Sequence, residues 1–125
     1  MLFEKVIGVR DTISGRRYSD IIEIAKNQIR KTYMSDEISL NTVAAEVGMS
    51  PSYFSSIFSK EMGKTFVEYL TEIRMDRAKE LLMCSSMKTS EIGYEVGYKD
   101  PHYFSYIFKK TQNCTPKEFR ARGKE

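Results

Sequence analysis

The chain has 125 residues, of which 41% are hydrophobic and 30% charged, and it carries a formal net charge of +3. That size holds one domain or two very small ones and buries roughly two-thirds of the unfolded surface, so a core forms without metal or disulfide staples. No apolar run approaches the ~18 residues of a membrane span, and the start MLFEKVIGVRD lacks the segments of a signal peptide. Cys84 and Cys114, with one histidine, are too few for a disulfide framework or a closed zinc site. A cytoplasmic protein without cofactor, metal or membrane association is expected. The charge is unevenly spread: residues 1–62 hold 8 basic and 8 acidic side chains, residues 63–125 hold 12 and 9. A polyanionic partner would therefore meet the C-terminal half more strongly.

In chain order, residues 1–17 place Leu2, Phe3, Val6 and Ile7 ahead of Arg10, Arg16 and Arg17, among Gly8, Ser14 and Gly15. This stretch reads as an incoming connector. A helix is predicted over Tyr18–Tyr33. Leu40, Val43, Ala44 and Val47 then recur at i, i+3, i+4 and i+7, one face of a helix that Ser39 caps and Gly48 ends. A second helix starts at once, with Ser50 as N-cap and Pro51 at the first helical position, where a missing N–H costs nothing. Thr65 and Glu68 form a capping box ahead of FVEYLTEIRMDRAKELLM, which runs from Phe66 to Met83 without a breaker. Its apolar stripe is Phe66, Tyr69, Leu70, Ile73, Ala78, Leu81 and Leu82, with Met75, Met83 and Met87 as further packing residues.

The pattern then repeats. VGMSPSYFSSIFSK, residues 47–60, returns as VGYKDPHYFSYIFKK, residues 96–110, with one residue inserted before the proline. Val43, Ala44 and Val47 correspond to Ile92, Gly93 and Val96, and Thr65-x-x-Glu68 to Thr115-x-x-Glu118. Gly97 ends the first helix of the second unit, Asp100 caps the next, and Pro101 opens it. Helix, tight turn, helix is the helix-turn-helix arrangement. The predicted fold is all-α, about seven helices: connector 1–17, first helix-turn-helix subdomain 18–65, linker helix 66–83, second subdomain 84–125.

The second helix of each unit carries the functional information. Tyr53, Phe54, Ile57 and Phe58 cover one side of the first, and Ser52, Ser55, Ser56 and Ser59 line the other. In the repeat, Phe104, Ile107 and Phe108 face inward and His102, Ser105, Tyr106 and Lys109 outward. Serine is a poorer helix former than the Glu, Lys, Gln or Arg of ordinary solvated faces. Short hydroxyl side chains let a backbone approach another surface closely and bond phosphates or base edges. The candidate DNA-contacting residues are accordingly Ser50, Ser52, Ser55, Ser56, Ser59, Lys60, His102, Ser105, Tyr106, Lys109 and Lys110, the lysines as phosphate neutralisers. Tyr53 and Tyr103 belong to the core rim, with hydroxyls free to reach phosphate. The 18-residue linker spans about 27 Å, comparable with the ~34 Å between major-groove openings on one DNA face. Tandem units in one chain read an asymmetric site without a palindrome. A protein-interaction bundle docking through the serine face is the alternative reading, and RNA binding a third. No nucleophile, base and orienter assemble, and no glycine-rich phosphate loop follows a strand, so an enzyme is not expected.

GYEVGYKDPHYFSYIFKKTQNCTPKEFRAR resembles the signature of AraC/XylS-type transcription regulators, and LNTVAAEVGMSPSYFSSIFSKEMGKTFVEYLTEIRMDRAKELL resembles that family's first motif and linker helix. The similarity covers about residues 18–122. It implies a seven-helix, two-lobed domain whose third and sixth helices enter adjacent major grooves of double-stranded DNA, and recruitment of RNA polymerase at promoters. Members often carry arginine after the serine of the YFS motif. Ser56 and Tyr106 stand there in this chain, which argues against bidentate guanine readout and for thymine methyl contacts, water bridges or DNA shape. YSDIIEIAKNQIRKTY, with YKDPHYFSYIFKK, is similar to the DNA-binding end of two-component response regulators. That similarity implies an upstream sensory or receiver domain, of which this chain would be the C-terminal companion.

Overall fold

The computed structural model describes the backbone of residues 10–123 and the side chains of residues 18–123. Residues 1–9 of the predicted connector lie outside the described residues. Seven helices and no strand occur among the described residues: α1 (Arg10–Thr32), α2 (Leu40–Glu46), α3 (Pro51–Met62), α4 (Phe66–Cys84), α5 (Thr89–Glu95), α6 (Pro101–Gln112) and α7 (Pro116–Gly123). The all-α, two-unit architecture agrees with the repeat. Two helix ends differ from the expectation. The first helix begins at Arg10, ahead of Tyr18, since Gly15 costs a helix only about 1 kcal/mol and α1 is anchored further on by Ile22, Ala25 and Ile29. The linker helix closes at Cys84, with Ser85 as its C-cap.

The caps form as the sequence dictates. The Ser39 hydroxyl accepts from the Thr42 N–H at 3.1 Å and the Thr42 hydroxyl from the Ser39 N–H at 2.9 Å, opening α2. Ser50 accepts from the Tyr53 N–H at 3.2 Å ahead of Pro51, and Asp100 from the His102 N–H at 2.9 Å ahead of Pro101. Reciprocal boxes join Thr65 with Glu68 (2.8 and 3.1 Å) and Thr115 with Glu118 (2.8 and 3.0 Å). Each such cap contributes about 1 kcal/mol. The reading helices also end alike, α3 on Gly63 at φ 73° and α6 on Asn113 at φ 67°. Asparagine is the residue other than glycine that best tolerates this left-handed position.

Packing divides the molecule into two lobes with separate cores. In the first, Ile22, Ala25 and Ile29 of α1 meet Val43, Ala44, Phe54, Phe58 and the start of α4 at Phe66, Tyr69 and Leu70. In the second, Met75, Ala78 and Leu82 of α4 meet Ile92, Val96, Phe104, Phe108 and Cys114. The spacing i, i+3, i+7 of Ile22, Ala25 and Ile29 is that of Met75, Ala78 and Leu82, so the last half of α4 supports lobe 2 as α1 supports lobe 1. The linker is thus a structural member of both lobes. Of the methionines predicted to pack around it, Met75 is buried and Met87 half-buried, while Met83 is 49% exposed. Gly93, on α5, lies against α6: a Cβ there would stand 2.8 Å from the Phe104 ring. The helix pair of lobe 2 therefore approaches more closely than that of lobe 1, where Ala44 occupies the matching position.

Candidate nucleic-acid interface

The reading helices α3 and α6 each bury two phenylalanines and turn the opposite side outward. On α3, Ser52, Ser56 and Lys60 are exposed, whereas Ser55 and Ser59 are half-buried. On α6, His102, Tyr106, Lys109 and Lys110 are exposed and Ser105 is half-buried. Ser55 and Ser105 share one register, each lying next to the buried Phe58 or Phe108 on the helical wheel, so the core shades both. Each outward arc is narrower than a plain helical wheel suggests. Its exposed members at matching positions are Ser52 with His102, Ser56 with Tyr106, and Lys60 with Lys110. Ser50 is exposed, but its side-chain oxygen is engaged as the α3 N-cap. Lys60, Lys109 and Lys110 fall in the last turns of their helices, where cations also complement the negative end of the helix dipole.

The tyrosines beside these arcs are arranged differently in the two lobes. Tyr53 is 47% exposed and shares a hydroxyl–hydroxyl hydrogen bond with Tyr18 of α1, their rings meeting edge to face at 6.0 Å. That hydrogen bond, and secondarily burial, raises the Tyr53 phenol above its ordinary pKa. In lobe 2 the rings form a ladder. Tyr98 lies 5.7 Å from Tyr103, Tyr103 lies 6.2 Å from Tyr106, and the Lys110 ammonium sits 5.7 Å over Tyr106. Tyr103 and Tyr106 are 50% and 57% exposed, so the ladder runs out from the turn before α6 along its surface. It places Tyr106 between the Tyr103 ring and the Lys110 ammonium. Pattern reading placed Tyr103 on the core rim but missed the ladder. Its signal was Tyr98, Tyr103, Tyr106 and Lys110, of which the last three recur at i, i+3 and i+7 on α6.

A buried arginine was also missed. Arg74, on α4, is 8% exposed. The signal was its position inside the linker's apolar stripe, between Ile73 and Met75. The Tyr98 phenol stacked beside it is raised in pKa, chiefly by burial and against the lowering influence of Arg74 itself. Among the described residues no group of three His, Cys, Asp or Glu side chains is placed to hold a metal ion. Cys84 and Cys114 are unpaired. No helix among the described residues is long and apolar enough to cross a membrane.

Two helix-turn-helix units, mounted on one shared helix with exposed polar residues at matching positions of their second helices, define the class: a tandem helix-turn-helix protein. The model of a family described as a helix-turn-helix domain matches residues 43–122. The chain is 37% identical over 100 residues to an HTH-type transcriptional regulator in the cgkA 5′ region of Pseudoalteromonas carrageenovora, covering 80% of this chain and 58% of that protein. It is 34% identical over 102 residues to the arabinose operon regulatory protein of Escherichia coli, covering 76% of this chain and 35% of that protein. Among solved structures, the C-terminal domain of AraT, a response regulator from Geobacillus stearothermophilus, superposes with a TM-score of 0.80 at 36% identity, covering 82% of this chain and 84% of that one. The chain belongs to the AraC-type helix-turn-helix family of DNA-binding transcription regulators. It spans 58% and 35% of the lengths of the two regulators compared.

Proposed function

We propose that this chain is the DNA-reading part of a transcription regulator, with α3 and α6 inserted in successive major grooves on one face of a duplex. The observation that carries the reading is the matched exposure of Ser52 with His102 and Ser56 with Tyr106, at the same register of two repeated helices. In this arrangement Ser52 and Ser56 bring the α3 backbone close to base edges and donate or accept hydrogen bonds there. His102 and Tyr106 give α6 a ring-bearing face suited to thymine methyl contacts. Ser55, Ser59 and Ser105, half-buried, contribute at the groove walls, while Lys60, Lys109 and Lys110 neutralise phosphates. Ser50 holds the start of α3 and reaches the backbone only through its remaining donor. Because the outward faces of α3 and α6 differ, the two halves of the site differ in sequence and no palindrome is required. Without arginine at positions 56 and 106, a share of specificity falls to DNA shape and ordered water.

The family and the partial coverage of its relatives support further assignments for the whole protein: recruitment of RNA polymerase, action in the cytoplasm, and an upstream sensory or receiver domain connected through residues 1–17. The AraT domain, described as the C-terminal part of a response regulator, favours the receiver.

Sites selected from random duplex DNA provide the test. Wild type is expected to enrich one asymmetric sequence for which log affinity falls linearly as log salt rises. Ser52→Glu with Ser56→Glu should abolish preference for that sequence with the helical circular dichroism intact. Undiminished preference in that variant, or enrichment of single-stranded RNA over duplex DNA, would sink the reading.

A further inference from the structure

The two lobes have separate cores that share no residue, and α4 runs from one into the other. Arg74 sits where they meet. Its Nε donates to the Tyr33 carbonyl and its Nη2 to the Ser35 carbonyl, both at 2.8 Å, so the guanidinium fork closes on the chain leaving α1. Its face lies 4.8 Å from the centre of the Tyr98 ring, in the turn that leads into α6. A Cβ at Gly97, whose φ is +115°, would stand 2.8 Å from the guanidinium, so this glycine lets the turn close down on the charge. Beside it lies a cleft of about 470 Å³ lined by Ser35, Asp36, Gly97, Tyr98 and Lys99, across which Lys99 pairs with Asp36. One side chain thus joins the end of a lobe 1 helix to the segment that aims the lobe 2 reading helix. A charge held this deeply keeps its place because two carbonyls and an aromatic face replace the water it loses.

We infer that Arg74 is a positioning residue that fixes the tilt of α6 relative to α3, and so sets which spacing between the two halves of a DNA site the protein accepts. The inference rests on the reading that both helices enter grooves of one duplex. Inserting one base pair between the halves moves them by about 3.4 Å and rotates them by about 35°. A rigid pair of lobes then loses simultaneous engagement, whereas a pair free to tilt recovers it.

The test uses the selected duplex and versions with one base pair added or removed at its centre. Wild type should lose on the order of 10² in affinity for the altered spacings, while Arg74→Leu should distinguish the three within about threefold. The penalties for base changes inside each half should match wild type. A second measurement is independent of DNA. Spin labels at Glu61→Cys on α3 and Thr111→Cys on α6, in a Cys84→Ser background, should give one narrow distance distribution, and Arg74→Leu should broaden it at least about twofold. Gly97→Ala, whose Cβ would meet the guanidinium, and Lys99→Glu, which breaks the pair with Asp36, should broaden it in the same direction. Asp36→Lys combined with Lys99→Glu should restore part of the wild-type width. An unchanged width in all these variants, or a spacing penalty retained in Arg74→Leu, overturns the inference. Wild type that binds no duplex defeats the groove reading instead, and the widths still decide whether Arg74 holds the tilt.

Discussion

Lobe 1 and lobe 2 are built alike inside and differ outside. Phe54 and Phe58 of one correspond to Phe104 and Phe108 of the other, all fully buried, and the N-caps Ser50 and Asp100 open reading helices of equal length. Outward, Ser52 and Ser56 of α3 become His102 and Tyr106 of α6, and a tyrosine tied to α1 becomes a three-ring ladder along the helix. Packing constraints act on the interior of both copies in the same way, so the interior is repeated. The outward face is free of that constraint, and on the proposed reading its divergence corresponds to two different half-sites.

The largest effects should come from breaking each interior. Phe54→Ala and Phe104→Ala each remove a fully buried ring and should cost about 3–5 kcal/mol. Because the two clusters share no residue, amide exchange should show protection lost first in the mutated lobe. Equal loss in both lobes would mean they unfold as one unit. A finer probe is the pair Gly93→Ala and Ala44→Gly. The added Cβ meets the Phe104 ring at 2.8 Å and should cost about 1–3 kcal/mol, whereas the reverse change in lobe 1 should cost about 1 kcal/mol, from helix propensity. Thermal melts that rank the two the other way would contradict the closer approach of α5 and α6.

The outer faces are compared through salt. Lys60→Ala should reduce the slope of log affinity against log salt by about 0.9, and Lys109→Ala with Lys110→Ala by roughly twice that. This difference would give lobe 2 the greater share of phosphate contact, in keeping with the basic surplus of residues 63–125. Slopes unchanged in both lysine variants would place these side chains away from the backbone.

Much of this architecture was legible in the sequence because short-range chemistry decides it. Ser39, Ser50, Thr65, Asp100 and Thr115 act as caps wherever they precede a helical pattern, and a four-residue period sets Phe54 against Phe58 whatever lies beyond. What resisted reading is tertiary. That Ile22, Ala25 and Ile29 have counterparts in Met75, Ala78 and Leu82 is visible only once α4 is seen to belong to both cores. The half-burial of Ser55 and Ser105 comes from the phenylalanines beside them. Arg74 reads as one charge in a charged helix until the fold brings carbonyls 41 and 39 residues away in sequence to its fork.

The smallest difference between the lobes lies in their matched caps. Thr65→Ala and Thr115→Ala should each cost about 1 kcal/mol, but the first opens a helix shared by both cores and the second only the terminal α7. Glu118 accepts from the Thr115 N–H at 2.8 Å, and this backbone hydrogen bond, followed by that of the Thr115 hydroxyl, holds its carboxyl below the usual carboxylate range. A carboxyl depressed in this way adds stability that is fully present above its unfolded value and disappears as the pH falls through the lowered one. Protection of α7 amides should therefore decline on acidification before the interior of lobe 2 opens, and Glu118→Gln should flatten that decline. An α7 profile that stays parallel to the rest of lobe 2 in both proteins would assign the acid sensitivity to another group.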